Sequence, residues 1–172
     1  MNVVLIGYRG TGKSTVADLV AGVLGATPFH TDLEIERRIG QSITDFVASQ
    51  GWDAFRDIES EVVKTAGRME EAVIDTGGGV VTRPENIAAL KENGVVFWLQ
   101  ASPQTIRDRI SDSQDRPSLT GDESFMDEVE AVLKERIPLY EGASDYAVTT
   151  DGRKPDEIAA RVVMLLDQRN RG

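Results

Sequence analysis

Residues 7–14 read Gly-Tyr-Arg-Gly-Thr-Gly-Lys-Ser, which fits the pattern G-x-x-x-x-G-K-[ST]. Glycines in such a loop let successive backbone N–H groups turn inward around the phosphates of a nucleotide. Lys13 can then reach the β and γ phosphates, and the Ser14 hydroxyl can hold Mg²⁺. Gly10, Thr11, Gly12, Lys13, Ser14 and Thr15 are the candidate nucleotide-binding residues. The pattern carries weight only when a strand feeds the loop and a helix leaves it. Here Val3-Val4-Leu5-Ile6 precedes it, and Val16, Leu19, Val20, Val23 and Leu24 follow at helical spacing. A helix starting there points its positive end at the same charge. The chain is expected to bind a nucleoside triphosphate, and the open question is what receives the phosphate.

The elements that must position this loop follow from hydrophobic patterning. Five short apolar runs, at 3–6, 27–31, 72–76, 95–99 and 146–149, read as strands. Several are continuous rather than alternating, which suits strands covered on both faces of a parallel sheet. Helical patterns lie between them, so a five-stranded parallel α/β sheet with helices on both faces is expected. Gly25 is placed to end the first helix, and Pro84, Pro103 (capped by Ser102) and Pro155 to open later ones. Gly94 is expected to end the helix opened by Pro84, and the polar tail 168–172 to fray. Residues 33–66 read as a helical insertion between the second and third strands. Residues 111–124 are almost wholly polar and read as a mobile lid loop containing Arg116, since a lid arginine can reach transferring phosphate.

Bulk properties narrow the class. At 172 residues the chain is expected to form a single domain spanning 1–172 with a real core. Its 29 acidic and 19 basic residues give a net charge of −10, which argues against a nucleic-acid partner. With no cysteine, disulfides, thiolate metal sites and a cysteine nucleophile are excluded. The start, Met1-Asn2-Val3, lacks a basic n-region, and no segment approaches 18 apolar residues. Neither a signal peptide nor a membrane span is expected, and a cytoplasmic monomer is the default reading.

Separated motifs now converge. The phosphate loop, Thr31-Asp32 with Ile35-Glu36, Phe55-Arg56-Asp57-Ile58-Glu59, Gly77-Gly78-Gly79, Arg116-Pro117, Arg136 with Pro138-Leu139-Tyr140, and Arg153 with Pro155 together resemble the shikimate kinases, over roughly residues 2–165. The resemblance implies transfer of the ATP γ-phosphate to the 3-hydroxyl of shikimate, on the way to chorismate and the aromatic amino acids. ATP is then the co-substrate and Mg²⁺ the cofactor.

The residues suit that chemistry. Shikimate is a small carboxylate with three hydroxyls. Arg56 and Arg136 are candidates for its carboxylate, because guanidinium grips a carboxylate through two parallel hydrogen bonds. Glu59, three residues after Arg56, shares its helical face and is placed to orient it. Asp32 follows the second strand, where open α/β sheets bind ligands, and resembles the family aspartate that orients the reacting hydroxyl and accepts its proton. A cap for the helix at 33–39 is compatible with that role. Gly77, Gly78 and Gly79 let backbone approach a ligand closely. Lys13, Asp32 and Arg116 are the expected catalytic residues, and Arg116 and Arg153 join the nucleotide set by resemblance, Arg153 near the adenine. Another P-loop small-molecule kinase (gluconate or nucleoside monophosphate) and a catalytically impaired binding protein remain alternatives.

One position departs from the family, which usually carries Asp-x-Asp after the second strand, the first acid helping to hold Mg²⁺. Here the triplet is His30-Thr31-Asp32, with the only histidine of the chain in first place. The third run, Ala72-Val73-Ile74-Asp75, ends in an acid like a Walker B strand. If the second and third strands lie side by side, Asp75 can take over beside Ser14 on the metal, or only satisfy loop N–H groups. A His30 near the metal is expected to reduce activity below about pH 6.5, as an ordinary imidazole protonates.

Overall fold

The computed structural model describes residues 1–110 and 125–172, so the expected lid at 111–124, with Arg116, lies outside the described residues. The strands are β1 (Asn2–Ile6), β2 (Thr27–His30), β3 (Ala72–Asp75), β4 (Gly94–Gln100) and β5 (Tyr146–Thr149). They form one parallel sheet in the order β2-β3-β1-β4-β5. The helices among the described residues are α1 (Lys13–Leu24), α2 (Thr31–Ile39), α3 (Ile43–Gly67), α4 (Pro84–Lys91), α5 (Pro103–Ile110), α6 (Phe125–Ala143) and α7 (Pro155–Arg171), with a 3-10 turn at Val80–Thr82.

Continuous apolar strands need cover on both sides, and β1 shows how they obtain it. Val3 and Leu5 face one side, packed with Val16 and Val20 of α1 and Ile158 and Val162 of α7. Val4 and Ile6 face the other, with Val63 of α3, Leu90 of α4 and Tyr140 of α6. All four are at most 2 % exposed. Burying each aliphatic side chain contributes on the order of 1.5–3 kcal/mol, so the central strand is fixed and its carboxyl end becomes a rigid platform. Because every strand pair is parallel, the ends of β1, β2 and β3 deliver the phosphate loop, Asp32 and the triple glycine to one edge.

The helix boundaries mostly follow the local signals. Gly25 ends α1 at φ 65°, and Ser102 Oγ accepts from the Thr105 N–H at 3.2 Å. The insertion is built from α2 and α3: Gly40 (φ 69°) closes α2, and Ser42 caps α3 by accepting from the Asp45 N–H at 3.1 Å. Gly51, at φ 84° and ψ 169°, breaks α3 just before Trp52, Phe55 and Arg56.

Three boundaries differ from expectation. The helix after β2 starts at Thr31, so its cap position is His30, and Asp32 lies within the first turn. Gly94 opens β4 instead of ending α4, because a Cβ there would collide with the Leu90 carbonyl. The C-terminal tail stays helical through Arg171, whose Nη2 pairs with Asp167 Oδ2 at 2.7 Å across the last turn.

Candidate active site

The phosphate loop leaves β1 and enters α1 through three glycines with positive φ: Gly7 (143°), Gly10 (80°) and Gly12 (85°). At two of them a side chain would also collide, at Gly7 with the Leu99 carbonyl (2.5 Å) and at Gly10 with Ile110 Cγ1 (2.8 Å). Thr11 Oγ1 donates to the Tyr8 carbonyl at 2.8 Å, and Lys13 Nζ to the same oxygen at 3.1 Å. Lys13 is buried, yet with Gly10, Gly12, Ser14 and Thr15 it lines a cavity of about 540 Å³ at the amino end of α1. That cavity also takes in Asp32, Asp75, Arg9 and Arg109.

A second cavity, of about 610 Å³, opens beside the first. Arg56, Glu59, Arg136, Asp32 and Gly77, Gly78 and Gly79 line it, so the fold brings the expected substrate residues together. Arg9 and Asp32 line both cavities and therefore mark where they adjoin. Arg56 lies against an edge-on pair of rings, 5.3 Å from the Trp52 centroid and 5.1 Å from that of Phe55. Its Nη1 donates to Glu59 Oε2 at 2.7 Å. The Glu59 side chain is 0 % exposed, and burial raises its pKa above the usual carboxylate range, against the pull of Arg56. Glu59 Oε1 has no hydrogen-bond partner among the described residues. Such a buried acceptor suits a ligand hydroxyl.

The triple glycine has a structural explanation that its sequence did not supply. A Cβ at Gly77 would stand 2.7 Å from Glu59 Oε1 and 3.1 Å from Asp32 Oδ1, and one at Gly79 would overlap the Arg56 guanidinium. A Cβ at Gly78 would stand 3.2 Å from the Arg9 backbone nitrogen and 3.6 Å from Arg136 Nη1. The missing side chains make room for the charged side chains of the cavity. Tyr140 OH donates to the Gly78 carbonyl at 2.5 Å and stacks on Trp98, so α6 clamps the same segment. Burial pushes the Tyr140 phenol up to about 12. Arg136, four residues earlier on α6, sits 5.9 Å from the Tyr8 ring centroid.

Beside Ser14 the expected neighbours meet. His30 pairs with Asp75 in the β2–β3 register. Asp75 Oδ2 accepts from Ser14 Oγ at 2.6 Å and from His30 Nδ1 at 2.9 Å, and His30 Nε2 donates to Asp18 Oδ1 at 3.0 Å. Carboxylates only accept, so both ring nitrogens are donors and neither keeps a lone pair for a metal. The hydrogen bond from Asp75 is the largest effect raising the imidazole pKa, to about 9, and Asp18 adds to it. The acid limb expected near pH 6.5 is thereby corrected: the ring is already protonated at neutral pH. Asp75 is held below the usual carboxylate range: burial, the largest single effect, raises it, but His30, Lys13 and Ser14 together outweigh burial. Ser14 and Asp75 present oxygen donors of the kind Mg²⁺ takes. Among the described residues no cluster of three or more His, Cys, Asp or Glu could cage a metal. The set therefore fits an ion that arrives on nucleotide phosphates.

Two arginines of the cavities, Arg9 and Arg109, have no role assigned from the sequence. Arg9 occupies a variable position of the phosphate-loop pattern, with Nη2 3.7 Å from buried Glu128 Oε1 on α6. Arg109 donates from Nη1 to the Gly10 carbonyl at 3.2 Å and from Nη2 to the Thr150 carbonyl at 3.3 Å, joining α5 to the loop. Its place just before the polar segment 111–124 was the available signal. Arg153 lies exposed in the turn between β5 and α7 and lines neither cavity.

Known proteins share this sequence pattern and fold. Residues 9–167 match the family model described as shikimate kinase. A shikimate kinase of Thermodesulfovibrio yellowstonii is 39 % identical over 171 residues, covering 99 % of this chain and 98 % of the relative. One from Nitratidesulfovibrio vulgaris is 43 % identical over 152 residues, covering 87 % and 86 %. The solved shikimate kinase of Acinetobacter baumannii in complex with shikimate superposes with a TM-score of 0.93 at 30 % identity, covering 98 % of this chain and 93 % of that one.

Proposed function

The chain belongs to the shikimate kinase family, and from that premise we propose that it uses ATP to phosphorylate the 3-hydroxyl of shikimate, giving shikimate 3-phosphate. The observation that carries the assignment of residues is the meeting of two cavities at Asp32 and Arg9, one lined by the phosphate loop and the other by two arginines and a buried glutamate. ATP phosphates lie in the loop, against backbone N–H groups and Lys13. Arg56 and Arg136 take the shikimate carboxylate, and Glu59 holds Arg56 in place while its free oxygen meets a ring hydroxyl.

Asp32 orients the 3-hydroxyl toward the γ-phosphorus. The hydroxyl oxygen forms the new O–P bond, the bond to the β–γ bridging oxygen breaks, and ADP leaves with that electron pair. Asp32 takes the hydroxyl proton late, because a loose phosphoryl-transfer transition state demands little base strength. Lys13 stays with the migrating charge. Ser14, with Asp75 behind it, would hold the Mg²⁺ that neutralises charge on the β and γ phosphates. Arg116 and Arg153 keep the nucleotide-side roles that the resemblance implies.

No helix among the described residues is long and apolar enough to cross a membrane. We assign the activity to the cytoplasm because its co-substrate ATP is available there. The test is coupled ADP release with shikimate, gluconate and nucleoside monophosphates in turn. Turnover with shikimate alone is the expected result, and faster turnover with gluconate or a nucleotide would overturn the assignment.

A further inference from the structure

The contacts around His30 form a closed ring. Ser14 and Asp18 lie four residues apart on α1, on one helical face. From Ser14 Oγ the ring runs through Asp75 Oδ2 on β3 and the two nitrogens of His30 on β2, and returns to α1 at Asp18 Oδ1. Each link is 3.0 Å or shorter. We propose that His30 and Asp18 are positioning residues that lock the Asp75 carboxylate against Ser14, so that the Ser14 hydroxyl gives its hydrogen to Asp75 and turns a lone pair toward the nucleotide-bound metal. The inference deepens the kinase reading above and rests on it.

Three features carry it. Asp75 accepts both donors on the same oxygen, Oδ2, so the serine and the imidazole together fix the carboxylate plane. A hydroxyl has one hydrogen, and committing it to Asp75 determines where its lone pairs point. His30 cannot replace this function by ligation, because both ring nitrogens already donate to carboxylates. The strength of the links differs. The Asp75 side chain is 9 % exposed and that of Asp18 61 %, so solvent weakens the outer link far more than the inner one. The chain thus has a histidine strut between Asp75 and α1, and Asp18 braces the strut from outside.

The test is Mn²⁺ binding to the enzyme–ADP complex, read from the free-ion signal in electron paramagnetic resonance, with thermal melts of the ligand-free proteins alongside. His30→Ala is expected to weaken Mn²⁺ binding by roughly tenfold, the lower end of what loss of a partner behind a metal ligand costs. His30→Asn should recover most of that, because its side-chain N–H₂ can still donate to Asp75. Asp18→Ala should weaken binding by a smaller factor, and combined with His30→Ala it should add nothing. Unchanged Mn²⁺ affinity in His30→Ala with a lowered melting temperature would overturn the proposal, leaving a structural role only. Equal tightening in His30→Ala and His30→Asn would also overturn it, since removed positive charge would then be the cause. If the wild-type protein fails to bind ADP at all, the nucleotide reading falls first and the proposal with it.

Discussion

The two cavities hold their charged groups in different ways. In the larger one the acid is sealed: Glu59 is wholly buried, and its partner Arg56 lies against the rings of Trp52 and Phe55. At the phosphate cavity the acid is Asp75, and the cation behind it, His30, leads through Asp18 to solvent. The sealed side suits a ligand recognised by fixed hydrogen bonds in a low-dielectric setting, where misplacing one group is costly. The open side suits a metal–nucleotide complex that brings its own charge and water.

Substitutions can break this comparison. The largest effect belongs to the group both halves of the reaction share: Lys13→Ala should lower kcat about 10²- to 10³-fold with little change in the melting temperature, measured by coupled ADP release. Next, Arg56→Met leaves Glu59 buried without its cation and should cost roughly 3–5 kcal/mol in urea denaturation. On the open side, His30→Asn should cost about 1 kcal/mol or less. Similar costs for the two would abolish the distinction between sealed and open.

Gly79→Ala sharpens the comparison within the sealed side, because its Cβ would occupy the space of the Arg56 guanidinium while the backbone (φ −91°) tolerates alanine. The KM for shikimate should rise about tenfold, the loss of roughly one charge-assisted hydrogen bond, while the KM for ATP stays near wild type. An unchanged KM for shikimate would show that Arg56 needs no such space.

The smallest effect is pH dependence. The His30 pKa is raised in the folded state, to about 9. Its contribution to stability is therefore fully present below its unfolded value near 6.5 and is lost as pH rises through about 9. Asp75, with a depressed pKa, contributes above its unfolded value of 3.8 and loses that contribution as pH falls further. The melting temperature of the ligand-free protein should fall by a few degrees between pH 7 and 10, where about 1 kcal/mol corresponds to roughly 2–4 °C. His30→Asn should flatten that fall, and an unaltered slope would show that other groups cause it.

The legible parts were those set by local chemistry. The apolar runs announced all five strands, and Gly25, Ser102 and Pro155 marked helix ends, because each acts through its own backbone or its immediate neighbours. The phosphate loop was readable for the same reason. The side-by-side placement of β2 and β3 was anticipated, but the use of His30 was not, since its protonation depends on Asp18 and Asp75, 12 and 45 residues away. The triple glycine was read as an approach for ligand backbone contacts, while its crowding by Arg56, Glu59 and Arg136 emerged only from tertiary packing. Arg9 and Arg109 had no role assigned from the sequence, because spacing alone does not separate a cavity arginine from a solvated one. The frayed tail was misjudged because composition alone underestimates ion pairs such as Asp167–Arg171 at a helix end.

The central claim is that the two cavities form one transfer site that meets at Asp32. Asp32→Asn tests it most directly, with shikimate and ADP affinities measured by calorimetry beside the turnover rate. The account predicts affinities within about threefold of wild type and a kcat lowered roughly 10²-fold or more, the contribution of a positioned proton acceptor. A kcat near wild type with both ligands bound would contradict it.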